Sequence, residues 1–471
     1  MTLDLVITRA ASAVTALALL AGCAASLPKI DAGKLPPTPQ SFREGGNFTV
    51  AAPAETQERG EWWKAFSDPV LDDLIARADR GNTSIRIAAA RLMQARVFVR
   101  ATDAARAPQV DAGAGAQRAG GIVNGVGGPA RSLFSGGLDL SYEVDLFGRL
   151  RQASDAARLD AQASEGLLQS AKLLVQAEVA QTYLALRATD TERALVRSTV
   201  VAYRDTLALT ERRWRAGDVA ELDVSRARTE VAATESDALA LDRRRAELEH
   251  ALAVLVGEVA SNFVMPADQW TTVLPTVPAG VPSTILTRRP DVSAAQNSLL
   301  AAQSRVGVAK AAWFPSVALT ATGGYASPDL SDLFKWSSRA WGIGLLGALP
   351  IFDGGRRNAG IQSAGAEFDI ALERYREQVL VAFRDVEDQL AARALLEEQA
   401  EAQERAVASS SRSTALSEVR YRNGYVSQLD LLDAQRSELR NRRQALQVRS
   451  AQYQSTVALV RALGGGWDKG S

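Results

Sequence analysis

The sequence predicts a mainly α-helical chain that also carries a membrane β-barrel, built from one strand–strand–long-helix–helix unit used twice. Three observations carry this expectation. Landmark residues recur at a constant offset of 207 positions. Two long stretches of equal length, 149–216 and 356–423, are nearly free of Gly and Pro. Ahead of each lie segments of about ten residues in which apolar and polar side chains alternate.

The offset identifies a duplication. Pro108 answers to Pro315, Arg149 to Arg356, Glu178-Val179 to Asp385-Val386, and Gly217 to Gly424. Leu222-Asp223 answers to Leu429-Asp430, Ala227 to Ala434, and Gly257 to Gly464. A spacing held over so many landmarks is the signature of a repeated structural unit. The predicted organisation is a signal segment over 1–22, a tether over 23–60, and a first repeat over 61–257. A linker over 258–282, a second repeat over 283–466 and a short tail over 467–471 follow.

Residues 1–22 place Arg9 before an apolar run from Ala10 to Ala21, the layout of a secretory signal; Asp4 is an unusual acid there. The run ends Leu20-Ala21-Gly22-Cys23, which resembles a bacterial lipobox, and Cys23 is the single cysteine of the chain. The resemblance implies a diacylglycerol on the Cys23 thiol and an acyl chain on its new amino terminus. Each buried methylene contributes ~0.8 kcal/mol, so two or more chains anchor stably where one does not. Ala24, rather than Asp, implies export to the outer membrane. Pro28, Pro36, Pro37, Pro39 and Pro53 then make the tether an extended segment.

In repeat one a helix is expected from Pro69 to about Arg106, and in repeat two from Asp291 to about Ala311. The long helix has a packing face at Leu168, Ala171, Val175, Val179, Thr182 and Leu186, three or four residues apart. Over 149–216 it would reach roughly 100 Å, and the return helix over 219–256 roughly 57 Å. The first helix of the repeat, stacked end to end, would supply the difference. A compact domain of this size is only about 40–50 Å across, so such helices belong to a rod or tube.

For strands, residues 138–146 (Leu-Asp-Leu-Ser-Tyr-Glu-Val-Asp-Leu) alternate strictly, and 109–118 alternate more weakly. In repeat two, Val317, Leu319, Ala321, Gly323 and Tyr325 alternate with Ser316, Thr320 and Thr322. Trp341, Ile343 and Leu345 alternate with Gly342 and Gly344. One face meets lipid and the other water. No apolar stretch after the N-terminus is long enough for a membrane helix, so a bilayer crossing requires a barrel. Four strands cannot close, because the smallest closed barrels have about eight. Two, three or four copies give eight, twelve or sixteen strands, and the pattern alone does not choose.

Lys+Arg and Asp+Glu are equal at 54 each, which argues against a nucleic-acid partner. One His and one Cys cannot build a zinc cluster, and His250 in Leu248-Glu249-His250-Ala251-Leu252 reads as helix surface. No nucleophile elbow or phosphate loop marks an enzyme, and no cofactor or metal is expected.

Several segments together resemble the TolC family of outer-membrane factors, in its lipoprotein branch serving RND-type efflux pumps. They are Glu61-Trp62-Trp63 with Phe66 and Asp68-Pro69; Ser141-Tyr142-Glu143-Val144-Asp145-Leu146-Phe147-Gly148-Arg149; Arg288-Arg289-Pro290-Asp291-Val292; and Pro350-Ile351-Phe352-Asp353-Gly354-Gly355. The resemblance covers nearly the whole mature chain. It implies a homotrimer with twelve strands in one barrel, continued by a long α-helical barrel. It also implies a periplasmic adaptor and an inner-membrane RND-type transporter as partners, with outer-membrane lipid around the barrel.

In that family the helix turns at the periplasmic end close the tube like an iris. Asp430 and Asp433 match its paired aperture aspartates, Asp223 the acid of the first turn, and Tyr421 a tyrosine that latches the closed state. Gly217 and Gly424 mark the turns that would meet the adaptor. Val426 departs from the pattern, where well-known members place an arginine; neighbouring Arg422 is the candidate substitute. Asp430 and Asp433, three residues apart, project from one helix face, so three chains would gather six carboxylates and attract cations. Without the resemblance they read as helix-start aspartates favoured by the dipole. A type I protein-secretion channel and a non-spanning periplasmic scaffold lipoprotein stay open as alternatives. The exported substrate is not written in the sequence.

Overall fold

The computed structural model describes residues 27–31, 33, 35–45, 60–123, 126–277 and 288–465. Cys23 and the signal segment lie outside the described residues. Among the described residues seven α-helices and four strands follow in order: α1 Pro69–Gly81, α2 Thr83–Ala104, β1 Gln109–Val123, β2 Val126–Glu143, α3 Arg149–Arg215, α4 Glu221–Val256, α5 Pro290–Ala311, β3 Ser316–Ser327, β4 Arg339–Ala348, α6 Arg356–Arg422 and α7 Gln428–Ala462. Each repeat therefore has the expected internal order. The chain divides into two compact units, to both of which α3 and α6 contribute.

The first unit takes in Arg91–Glu165, Ala294–Glu377 and the N-terminal residues up to Leu35. Its four strands form one antiparallel sheet in the order β1-β2-β3-β4. The strands of repeat one are longer than alternation predicts. β2 begins at Val126 rather than near Leu138, because the Gly- and Ser-rich stretch before Leu138 has no apolar/polar contrast to read. It ends at Glu143 rather than Leu146, because Asp145 is diverted to the next helix, where its carboxylate accepts from the Leu150 and Arg151 amides at 3.1 and 2.7 Å. Asp353 does the same before α6, accepting from the Gly355 and Arg357 amides. Gly137 and Gly324 permit a close approach of β2 and β3, since a Cβ on Gly137 would lie 2.8 Å from the Gly323 carbonyl oxygen.

Helices α5 and α6 pack in this unit through Leu299, Ala302, Val306, Phe368 and Leu372. Ile30 and Leu35 pack on that core, and Gln303 Nε2 donates to the Pro28 carbonyl at 2.7 Å. The described start of the tether is thus extended yet held by packing.

The second unit comprises Pro36–Ala90, Gly166–Ser293 and Gln378–Ser471. The helix expected from Pro69 to about Arg106 is two helices, broken at Asn82. Asn82 has an extended backbone, φ −64° and ψ 129°. Its Oδ1 caps α2 by accepting from Ser84 N (2.9 Å) and Ile85 N (3.2 Å), and its Nδ2 donates to the Leu255 carbonyl at 2.8 Å. One buried Asn side chain thereby joins the start of α2 to the last turn of α4, which is how the shorter return helix is extended. In repeat two Arg289 occupies the same place: its Nη1 donates to the Ala462 carbonyl, in the last turn of α7, at 3.3 Å.

Helices α3 and α6 are each 67 residues, about 100 Å, and α4 and α7 are 36 and 35. Val219 and Ala220, expected in the return helix, stand in the turn before it, with Ala220 as N-cap. His250 is exposed on α4.

Candidate functional site: the paired helix turns and the two-faced sheet

The turns after α3 and α6 are built alike. Gly217 and Gly424 have φ of +83° and +76°, a left-handed conformation that favours glycine, and open space surrounds both. Gly217 N donates to the Trp214 carbonyl and Asp218 N to that of Arg213, both at 2.9 Å. Gly424 N donates to the Tyr421 carbonyl (3.0 Å) and Tyr425 N to that of Arg420 (2.8 Å). The same two bonds close both helix ends.

The four side chains singled out from the sequence occupy different environments. Tyr421 is buried, with its hydroxyl 3.3 Å from Thr210 Oγ1 on α3. The Arg213 guanidinium lies 5.1 Å from its ring centroid. Arg213 is the cation at this tyrosine. Arg422 is exposed and makes no ion pair among the described residues. One step along a helix turns the side chain by about 100°, so Arg422 does not share the buried face of Tyr421.

Asp430 and Asp433 are both exposed on the first turns of α7. Asp430 is part of a capping box: its Oδ2 accepts from Ser427 N at 3.0 Å and Ser427 Oγ at 2.7 Å, while Ser427 Oγ accepts from Asp430 N. The Ser427 hydroxyl and amide hold the Asp430 carboxyl below its ordinary value. Asp433 Oδ1 lies 3.3 Å from Arg436 Nη1. Asp223, on the first turn of α4, is 3.7 Å from Arg226. The structure thus places Asp430 and Asp433 on one helix start and gives Asp430 a local structural partner as well.

Sequence reasoning missed the ties between the two return helices. Arg436 pairs with Glu230, and Arg443 Nη1 with Asp237 at 2.8 Å. Arg443 also reaches Glu192 on α3 at 2.7 Å. Arg436 and Arg443 are seven apart, as are Glu230 and Asp237. That shared heptad spacing was the available signal.

In the sheet, residues directly opposite share a face. Val110, Leu140, Ala321 and Ile343 form one cross-strand row, and Ala112, Leu138, Gly323 and Trp341 the next on the same side. The intervening row, Asp111, Asp139, Thr322 and Gly342, belongs to the opposite face, as do Ser141, Thr320 and Gly344. One face is apolar, and the other is polar or small apart from Leu133 and Leu346. Ile343 is 81% and Trp341 80% exposed, a large apolar surface left uncovered in the single chain. Among the described residues β1 and β4 pair on one side only, leaving two open edges.

The family model described as outer membrane efflux protein matches twice, over residues 74–258 and 281–465, and the two starts are separated by the same offset as the landmark residues. The chain is 34% identical over 436 residues to the cation efflux system protein CusC of Escherichia coli O6:H1, covering 92% of this chain and 94% of that one. It is 36% identical over 466 residues to the antibiotic efflux pump outer membrane protein ArpC of Pseudomonas putida, covering 97% and 95%. The solved structure of the outer-membrane channel OprN superposes with a TM-score of 0.87 at 30% identity, covering 94% of this chain and 99% of that one.

Proposed function

Because this chain belongs to the outer membrane efflux protein family, whose members are outer-membrane channels of efflux pumps, we propose that three copies close into one twelve-stranded barrel and conduct small molecules to the exterior. The observation that carries this reading is the sheet. It has one apolar face, one polar face and two open edges, so a single copy leaves both a lipid-sized surface and two rows of backbone donors and acceptors unsatisfied. Closure with further copies satisfies all of them.

The long helices extend into the periplasm, where the turns at Gly217 and Gly424 meet a periplasmic adaptor coupled to an RND-type transporter. Asp430 and Asp433, with Asp223, surround the aperture, and Tyr421 with Arg213 holds the turns closed. Cys23 carries diacylglycerol and an N-acyl chain that tether the chain to the membrane. The relatives' names point to cations and antibiotics as cargo classes.

Outer-membrane fractions run unheated and heated on a denaturing gel test the assembly. The expected result is a trimer that shifts to monomer only on heating, with channel conductance in planar bilayers. A heat-insensitive monomer without conductance would leave a non-spanning scaffold. Co-purification then separates pump types: an adaptor with an RND transporter supports this reading, and an ABC-type exporter favours protein secretion.

A further inference from the structure

On β4 the apolar face of the sheet ends in a cation. Along β4, Leu345, Ile343 and Trp341 share that face, and the next residue in the alternation is Arg339, opposite Tyr325 of β3. This end of the sheet lies away from the helix junctions at Phe314 and Asp353. Among the described residues no helix is long and apolar enough to cross a membrane. The helices therefore lie outside the hydrocarbon, and the β3–β4 loop sits at the opposite, outward rim.

The loop is not an ordinary polar turn. Phe334 is 79% and Trp336 72% exposed, and Phe334 meets the edge of Tyr325 at 5.8 Å between centroids. The Arg339 guanidinium lies 3.3 Å over the Trp336 ring, and its Nε donates to the Trp336 carbonyl at 2.7 Å. Neighbouring Lys335 is neutralised by Asp332 at 2.7 Å. Arg339 faces no carboxylate within ion-pair distance among the described residues. Its Nε and one ring face are engaged, which fixes the plane of the guanidinium and leaves the two Nη groups as a fork.

A lipid-facing arginine on a barrel is tolerated only near the headgroups, where anionic groups can meet it. A planar fork matches the oxygens of a phosphate. The exposed indole and phenyl rings beside it suit the border between acyl chains and headgroups. On β1, the other edge strand, Arg118 lies on the same face, four residues beyond Ala114, which shares the Arg339 row through Gly136 and Tyr325. In a closed barrel β1 of the next copy lies beside β4.

We propose that Arg339, stacked on Trp336, binds the phosphate of an anionic glycolipid headgroup in the outer leaflet. The proposal rests on the lipid-facing barrel described above. Its test uses the full-length protein in phosphatidylcholine nanodiscs containing either diphosphoryl lipid A or its dephosphorylated form, with lipids retained per trimer counted by native mass spectrometry. The wild type should retain the phosphorylated form about tenfold over the other, as expected of a charge-assisted pair. Arg339→Gln should lose that preference, and Arg339→Lys, a point charge without the fork, should keep part of it. Equal retention of the two lipids by wild type, or a preference unchanged in Arg339→Gln, overturns the proposal. So does a loss of trimers in Arg339→Gln without change in lipid preference, which would make Arg339 a contact between copies. Planar-bilayer conductance of wild type separates the two levels: a conducting channel without lipid discrimination removes only this site, and no channel removes the barrel with it.

Discussion

Asn82 donates its side-chain amide to the carbonyl of Leu255 at 2.8 Å, binding the start of one helix to the end of another far along the chain. Moving both positions by the repeat offset gives Arg289 and Ala462, which make the equivalent bond with a different donor. The duplicated architecture therefore keeps the junction and varies its chemistry. Asn82 is neutral and caps only its own helix. Arg289 is also buried, pairing with Asp291 at 2.7 Å and Asp385 at 3.2 Å.

The two junctions should fail differently. Asn82→Ala removes an N-cap and one cross-helix bond, a loss of about 1–2 kcal/mol. Arg289→Ala removes the buried cation shared by two carboxylates that keep Arg384, on Asp385, and Gln378, on Asp291, as partners, a loss of about 2–3 kcal/mol. The temperature at which trimers dissociate on gels should fall more for Arg289→Ala. Equal shifts would mean that the buried charge adds nothing beyond the capping bond.

The sheet faces can be tested by charge. Arg at Leu140 or Ile343, on the apolar face, should cost about 2–4 kcal/mol near the bilayer midplane and reduce folded trimer. Arg at Ser141, on the other face, should be mild. Gly344 is a poor control despite sharing that face, because a Cβ there would lie 2.8 Å from Thr320 Oγ1. Similar losses at Leu140 and Ser141 would contradict the assignment of lipid and lumen.

For the aperture, Asp430→Asn with Asp433→Asn removes charge while retaining hydrogen-bonding side chains at the cap. A trivalent hexammine cation added from the periplasmic side should block wild-type current and lose affinity in the double variant. Because Ser427 lowers the Asp430 carboxyl below its ordinary 3.8, Asp430 stays ionised as pH falls through that value. Its contribution to the helix start is present above the ordinary value and lost as pH drops through the lowered one. In the Asp433→Asn variant, residual block should persist below pH 3.8. An unchanged block in the double variant would take both residues out of the pore.

Arg213→Gln addresses the latch. It removes a cation–π contact worth about 0.5–1 kcal/mol, so the closed-to-open ratio in single-channel records should fall about two- to fivefold. Arg422→Gln should leave it unchanged. The reverse ranking would restore Arg422 as the cation that replaces the arginine absent at Val426.

The anchor has a direct readout. Cys23→Ser should abolish palmitate labelling and leave the signal segment uncleaved by the lipoprotein peptidase. Labelling that persists would place the acyl group elsewhere.

The sequence by itself determined the duplication, the lengths of the two long helices and the existence of the strands, because each is a local or periodic property. Glycine-poor composition, the left-handed turns at Gly217 and Gly424, and period-two alternation in repeat two all act within a short span of chain. The tertiary structure decided the rest. Asn82 looks like a mid-helix residue until Leu255 lies beside it. Nothing local marks Arg213 as the partner of Tyr421, because the contact depends on how α3 and α6, one from each repeat, lie against each other. Asp430 reads equally as a cap or an aperture charge, and the Ser427 geometry shows the cap directly. The register that puts Arg339 at the rim of the apolar face likewise depends on pairing between strands, which composition and spacing along one chain cannot set.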